Sequence, residues 1–185
     1  KCISYHHVLF YFFGVWHLFF EHNTEAYTWG PMWWGHAVSS DLLHWEQKDH
    51  ALHPDKMGSM FSGSAVVDHN NTSGLGENAI ILFYTAANRD DSEASYTQCM
   101  AYSLDNGVSW EKYANNPVVK TMVGEDRDPR VVWHAKTQQW IMALYLTEDK
   151  FCLLRSKDAK SWEKFQDIQL TSDCECPDFF SLSDN

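Results

Sequence analysis

The sequence predicts an all-β fold assembled from blades of a β-propeller. Three runs rich in β-branched and aromatic residues, at 15–22, 79–86 and 139–147, are typical of buried strands. No 3.6-residue periodicity extends far enough to indicate a long helix. A turn pattern of Ser, Asp and Trp recurs along the chain, and such recurrence is typical of blades.

The repeated turn has a Ser two residues before an Asp, and a Trp-Glu pair shortly after it. The three Asp residues are spaced by 64 and 53 positions, from 41 to 105 and from 105 to 158. Ser and Asp side chains are expected to bond nearby backbone N–H groups and close a β-hairpin, after which the Trp opens the next strand. The copies are SSDLLHWEQ (39–47), SLDNGVSWEKY (103–113) and SKDAKSWEKF (156–165).

A β-sandwich has similar short strands, but sandwiches rarely repeat themselves in sequence, so the repeat favours blades. Three units do not close a ring, since propellers typically have four to eight blades. We therefore expect residues 1–185 to form an incomplete propeller domain with no C-terminal β-sandwich. The Phe13-Gly14 dipeptide predicts a tight turn between the first two strands.

Composition excludes several classes of partner. The net charge of −11 argues against nucleic acid, because phosphate binding needs clustered Lys and Arg. The longest apolar run (8–20) is shorter than the roughly 20 residues of a membrane-spanning helix, so no membrane partner is expected. Cysteines and histidines show no C-x-x-C or H-x-x-x-H spacing, so neither a metal nor a cofactor is predicted.

Two acidic segments precede Pro-stiffened turns. In GEDRDPRVVW (124–133), Pro129 is expected to push Asp128 toward extended geometry. In ECPDFF (175–180), Glu175 next to Cys176 and two phenylalanines is expected to be poorly solvated, which favours its protonated form. Charged loops are often plain solvated surface, but two acids in an aromatic-walled pocket are the arrangement that cleaves glycosidic bonds.

Several motifs together carry a specific resemblance. WGPMWWGHAVSSDLLHW (29–45), FSGSAVVDHNNTSGLG (61–76), RDP (127–129) and ECPDFF resemble glycoside hydrolase family 32, the β-fructofuranosidases that include invertases, levanases and inulinases. The resemblance implies a five-bladed propeller, usually followed by a β-sandwich. It also implies retaining hydrolysis of terminal β-fructofuranosyl linkages, with sucrose or a fructan as the partner.

The resemblance also assigns roles to residues. It implies that Glu175 is the general acid/base and that Asp128 stabilises the transition state by binding fructosyl hydroxyls, with Arg127 beside it. Glu21 stands where the family usually has a substrate-binding Gln, and its carboxylate is expected to repel or reorient a nearby acid. The substrate-binding positions implied by the resemblance are Trp29, Phe61, Ser62, Arg127 and Glu21.

One departure bears on activity. The family carries a Trp-x-Asn-Asp-Pro-Asn-Gly segment before its first hairpin, and that Asp is the nucleophile, whereas no Asp or Glu precedes Glu21 here. The alternatives are a non-catalytic fructan-binding module, a degenerate fragment, or a related five-bladed family acting on arabinose, xylose or fructose polymers. An extracellular or periplasmic location is favoured over a cytoplasmic one.

Overall fold

The described strands form three four-stranded antiparallel sheets. The computed structural model describes residues 2–88, 96–171 and 174–180, with side chains from Val8 onward. None of these residues lies in an α-helix, so no helix there is long and apolar enough to cross a membrane. The predicted all-β fold with three units is confirmed.

Within each sheet, strands that are consecutive in sequence are also neighbours in space. The first blade contains β1 (Cys2–Phe12), β2 (Val15–Asn23), β3 (Trp33–Ser39) and β4 (Glu46–Leu52). The second blade contains β5 (Ser59–Asp68), β6 (Ala79–Ala87), β7 (Tyr96–Ser103) and β8 (Glu111–Lys112). The third blade contains β9 (Arg127–His134), β10 (Gln139–Thr147), β11 (Lys150–Ser156) and β12 (Glu163–Gln169).

The blades meet through their first strands. Strand β5 contacts both β1 and β9, so the first strands of the three blades lie side by side. This is the arrangement of innermost strands around a propeller axis. Because the three blades share one orientation, the starts of β5 and β9 and the ends of the even-numbered strands lie at one end of the assembly.

The middle blade separates two apolar cores. Every residue of β6 is buried, and its side chains alternate between the two faces of the sheet. Ile81 and Phe83 pack in the core shared with the third blade, whereas Leu82 and Tyr84 pack in the core shared with the first. Full burial of each large side chain contributes about 1.5–3 kcal/mol. Other large side chains of these cores are Phe19, Trp34, Met60, Met100, Met142 and Leu144.

The repeated turn is closed as predicted. In the third blade, Ser156 Oγ donates to Asp158 Oδ1 over 3.0 Å, and the same oxygen accepts the N–H groups of Lys160 and Ser161 at 2.9 and 2.7 Å. All of these bonds stay within six residues of chain. The same Ser-to-Asp bond joins Ser39 to Asp41 and Ser103 to Asp105.

The tryptophan that follows each Asp belongs to the turn and does not begin the next strand. Trp45 Nε1 donates to the Leu42 carbonyl and Trp162 Nε1 to the Ala159 carbonyl, both over 3.0 Å. Strands β4 and β12 begin one residue after their Trp, so the prediction was wrong by one residue. Trp110 follows the middle copy of the turn and packs edge-on against Phe19, at 5.4 Å between ring centroids.

The predicted tight turn between β1 and β2 is confirmed. Phe12 pairs with Val15, so Phe13 and Gly14 alone make the connection. Their φ angles of 47° and 83° are both positive, as in the hairpin turns whose twist matches that of the flanking strands. An aromatic residue is unusual at φ 47°, and the Phe13 side chain is exposed.

We expect Asp158→Ala to lower the free energy of unfolding by about 1–2 kcal/mol, because two N–H groups and two hydroxyls lose their acceptor. Asp158→Asn keeps one carbonyl oxygen and should lose less. Urea titration followed by circular dichroism measures both changes. The matched control is Lys157→Ala, an exposed neighbour expected to change stability by less than about 0.5 kcal/mol. Equal losses for Asp158→Ala and Lys157→Ala would contradict the role of this turn.

Candidate functional site

The predicted site residues lie at one end of the blades. Glu21 is near the end of β2, Phe61 and Ser62 are near the start of β5, and Arg127 and Asp128 open β9. These strand ends share one edge of the assembly because the blades are antiparallel. The two remaining residues lie on connections, with Trp29 after β2 and Glu175 after β12.

Contacts link the residues across blade boundaries. The rings of Trp29 and Phe61 meet edge to face, with centroids 5.8 Å apart. Ser62 Oγ, on the second blade, donates to Glu21 Oε1 on the first over 2.9 Å. The charge of Asp128, on the third blade, acts on Glu21. All three described blades therefore contribute to one site.

Glu175 is held by Arg127. Its Oε2 accepts hydrogen bonds from Arg127 Nε and Nη2 at 3.1 and 2.8 Å. The guanidinium also lies over the Tyr145 ring, 4.5 Å from its centroid, and donates to the Glu125 carbonyl at 2.8 Å. The Glu175 side chain is 55% exposed. The expectation of a poorly solvated Glu175 was wrong, because its segment presents the carboxylate to Arg127 and to solvent rather than to the phenylalanines.

Asp128 is buried and has an unusual backbone conformation. Its φ is 61°, in the left-handed region, so the prediction of extended geometry before Pro129 was wrong. Left-handed geometry costs a residue with a side chain about 1–2 kcal/mol. Tertiary hydrogen bonds hold it there, because the Asp128 N–H donates to Thr85 Oγ1 at 3.1 Å and the Pro129 carbonyl accepts from Ser64 Oγ at 2.7 Å.

A buried polar network behind Asp128 was not predicted. Thr85 Oγ1 donates to Gln98 Oε1 over 2.7 Å, and Gln98 Nε2 donates to the Asp126 carbonyl over 2.8 Å. Asp126 in turn accepts the N–H groups of Met122 and Val123 through its side chain. Thr85, Gln98 and Asp126 have no exposed surface. The available signal was an isolated polar residue in an apolar strand, as at Thr85 within AIILFYTAA.

The segment that carries Glu175 also reaches Asp128. Cys176 Sγ donates to Asp128 Oδ2 over 3.5 Å. Partial burial of the thiol and the charge of Asp128 raise the pKa of Cys176 to about 12, so the thiol remains a donor. Burial raises the pKa of Asp128, while the Cys176 thiol and Arg127 oppose that rise. Asp128 and Glu175 thus converge on one site from the start of β9 and from the segment after β12.

Glu21 is a buried carboxyl group within the site. Its side chain is only 6% exposed. Burial raises the pKa of Glu21 to about 7, the hydrogen bond from Ser62 opposes the rise, and the negative charge of Asp128 adds to it. The expectation that this carboxylate acts on a nearby acid agrees with the interaction between Glu21 and Asp128.

Aromatic rings line one side of the site. Phe61 lies between Trp29 and Tyr96, whose ring centroid is 5.4 Å from that of Phe61. Trp29 is half exposed, and the loop that leads to it is closed by buried Asn23. Asn23 Oδ1 accepts the N–H of Glu25 at 2.9 Å, and Asn23 Nδ2 donates to the Thr28 carbonyl at 2.8 Å. Neither Tyr96 nor Asn23 was predicted as part of the site.

The arrangement suits a polyhydroxylated ligand. Three carboxyl groups, a guanidinium and a hydroxyl offer acceptors and donors for ligand hydroxyls, and the half-exposed Trp29 ring can cover the apolar face of a sugar ring. Among the described residues, no group of three or more His, Cys, Asp or Glu side chains is placed to hold a metal ion.

Comparison with protein families decides the assignment. Residues 7–185 match the N-terminal domain of glycosyl hydrolases family 32. The chain belongs to this family. The predicted resemblance is therefore confirmed, and a partial propeller carrying the family's motifs is consistent with it.

Individual family 32 relatives give the same result. The chain is 42% identical over 181 residues to a levanase of Bacillus subtilis, covering 93% of this chain and 26% of the levanase. It is 41% identical over 157 residues to an extracellular exo-inulinase of Meyerozyma guilliermondii, covering 80% of this chain and 30% of the relative. The structure of a β-fructofuranosidase from Schwanniomyces occidentalis complexed with fructosyl-erythritol matches with a TM-score of 0.83 and 38% identity, covering 91% of this chain and 34% of that one. The chain thus spans about a third or less of the length of these relatives.

We expect Thr85→Val to destabilise this family 32 domain by about 2–3 kcal/mol, since the change leaves the Asp128 N–H and Gln98 Oε1 buried without a partner. The Asp128 amide should also exchange with solvent faster than in the unmodified protein. Urea titration and amide hydrogen exchange measure the two effects. Thr147→Val, the same change at an exposed position in β10, is the control. If the two variants behave alike, the Thr85 network does not position Asp128.

Proposed function

We propose that this chain is the sugar-binding part of a β-fructofuranosidase, which recognises the terminal β-fructofuranosyl unit of sucrose or a fructan. The observation that carries the proposal is the meeting of Asp128 and Glu175, through Cys176 and Arg127, next to the rings of Trp29 and Phe61. The fructosyl ligand named for the Schwanniomyces occidentalis structure supports the same substrate class.

Each residue has a physically reasonable role in the proposal. Buried Asp128 accepts hydrogen bonds from fructosyl hydroxyls and stabilises positive charge that develops on the sugar. Glu175, exposed to solvent, is the general acid/base, and Arg127 fixes its direction through two hydrogen bonds. The residues that complete the sugar pocket are Trp29, Phe61, Ser62 and Glu21.

Hydrolysis by this chain is expected to be slow. Retaining hydrolysis needs a nucleophilic carboxylate about 5–5.5 Å from the general acid. Residues 1–20 contain no Asp or Glu, so the family's nucleophile has no counterpart among them. We therefore propose sugar binding with a turnover several orders of magnitude below that of a family member that has its nucleophile. The second candidate function, favoured by the same observation, is a non-catalytic fructan-binding module.

We propose that the three blades belong to a five-bladed ring and that no β-sandwich lies within residues 1–185. The net charge of −11 disfavours nucleic acid as a partner. An extracellular or periplasmic location is proposed because a relative is named an extracellular exo-inulinase.

Calorimetry with the fructan trisaccharide 1-kestose tests sugar binding. We expect the 185-residue chain to bind 1-kestose and Asp128→Asn to bind it at least about 10-fold more weakly, because loss of a charged hydrogen-bond acceptor costs roughly 1.5–3 kcal/mol. Asp49→Asn, the same change at an exposed position in β4, should leave the affinity unchanged. A folded sample that binds no 1-kestose overturns the proposed function.

Measurement of glucose released from sucrose tests the catalytic part. We expect hydrolysis several orders of magnitude slower than by a family member with a nucleophile. Glu175→Gln should abolish the residual hydrolysis and still bind the sugar. Binding of 1-kestose with no detectable product would support the binding module. Turnover close to that of a complete enzyme would contradict the expected loss of activity.

A further inference from the structure

The Glu21 carboxyl group is buried at the junction of the first and second blades without a cationic partner among the described side chains. Ser62 Oγ donates to its Oε1 over 2.9 Å. A carboxyl group in this position must either carry a proton or ionise at the full cost of burial.

The groups that face Glu21 favour the protonated form. From the second blade, the facing group is the Ser62 hydroxyl, a neutral donor. From β3, the residue paired with Glu21 is Trp34. From the third blade, the facing charge is Asp128, which is negative when ionised. The Arg127 guanidinium is directed to Glu175 rather than to Glu21.

The ionised form of Asp128 is stabilised by more neighbouring groups than the ionised form of Glu21. The Cys176 thiol donates to Asp128 Oδ2 and the charge of Arg127 favours its ionised form, whereas the charge of Glu175 opposes it. Two interacting buried carboxyl groups release their protons in separate steps, so the better supported group ionises first. Burial and the charge of Asp128 favour a proton on Glu21, in agreement with the pKa of Glu21 being raised to about 7.

We propose that Glu21 acts in the sugar site as a neutral carboxylic acid whose O–H selects a hydroxyl oxygen of the fructosyl unit, and that sugar is released when Glu21 ionises. A protonated carboxyl group has one donor and retains acceptor capacity. The acceptor Oε1 is used by Ser62, which leaves the donor for a ligand. The identity of the ligand as a fructosyl unit rests on the proposed function, whereas the protonation of Glu21 does not.

Calorimetry with 1-kestose on the 185-residue chain at pH 5.5 and pH 8.5 tests the inference. The affinity should fall about 30-fold between these values, because only the fraction with Glu21 protonated binds. Glu21→Gln has a neutral donor at every pH and should show less than about a 3-fold change over the same range. Glu25→Gln, an exposed carboxyl group on the following loop, is the matched control and should behave like the unmodified protein. Equal pH dependence of the unmodified protein and Glu21→Gln overturns the inference.

A second measurement tests the protonation of Glu21 separately from sugar binding. In protein labelled with ¹³C at the glutamate carboxyl carbon, the resonance absent from Glu21→Gln belongs to Glu21. Its titration midpoint should lie near 7 without any sugar. A midpoint near 4.5 overturns the inference and leaves the proposed function standing. A midpoint near 7 without 1-kestose binding at pH 5.5 confirms the protonated acid and overturns the proposed function.

Thermal unfolding gives a third, independent prediction. The pKa of Glu21 is higher in the folded than in the unfolded chain, so the unmodified protein loses stability as pH rises from about 4.5 through 7. Glu21→Gln should therefore melt roughly 5–10 °C above the unmodified protein at pH 8.5 and close to it at pH 4.5. A constant difference at both pH values would contradict ionisation of Glu21 in this range.

Discussion

The structure depends on burial of β6 on both of its faces. This strand contributes Leu82 and Tyr84 to the core shared with the first blade and Ile81 and Phe83 to the core shared with the third, beside β5, which contacts both neighbouring blades. The same strand ends at the site, where Thr85 holds the Asp128 backbone. Packing of the middle blade and the position of buried Asp128 therefore both depend on β6.

The site requires several blades at once. Ser64 and Thr85 of the second blade hold the chain around Asp128 at the start of the third, and Ser62 of the second blade meets Glu21 of the first. These side chains are hydrogen-bonded and largely removed from water, so a small shift between blades leaves a buried polar group without its partner. Such sensitivity keeps the carboxyl groups at fixed separations, as binding of a small polyhydroxylated ring requires.

Sequence patterns predicted the fold well, and the residues proposed for the site lie at one end of the blades. The apolar strands, the repeated turn and the Phe13-Gly14 connection depend on local periodicity and turn chemistry, which a single chain displays directly. The left-handed Asp128 was not predicted, because distant hydrogen bonds from Thr85 and Ser64 override the local preference before a proline. The exposure of Glu175 was missed for the same reason, since its partner Arg127 lies 48 residues away.

The two ends of the propeller differ in how far their hydrogen bonds reach along the chain. The hydrogen bonds of each Ser-Asp turn are complete within a few residues, so they form without any group from a neighbouring blade. At the opposite end, the hydrogen bonds that join the blades around Glu21 and Asp128 link positions 41 to 67 residues apart. The hydrogen bonding of a turn can therefore change within one hairpin, whereas a new ligand preference at the other end demands coordinated substitutions in separate blades.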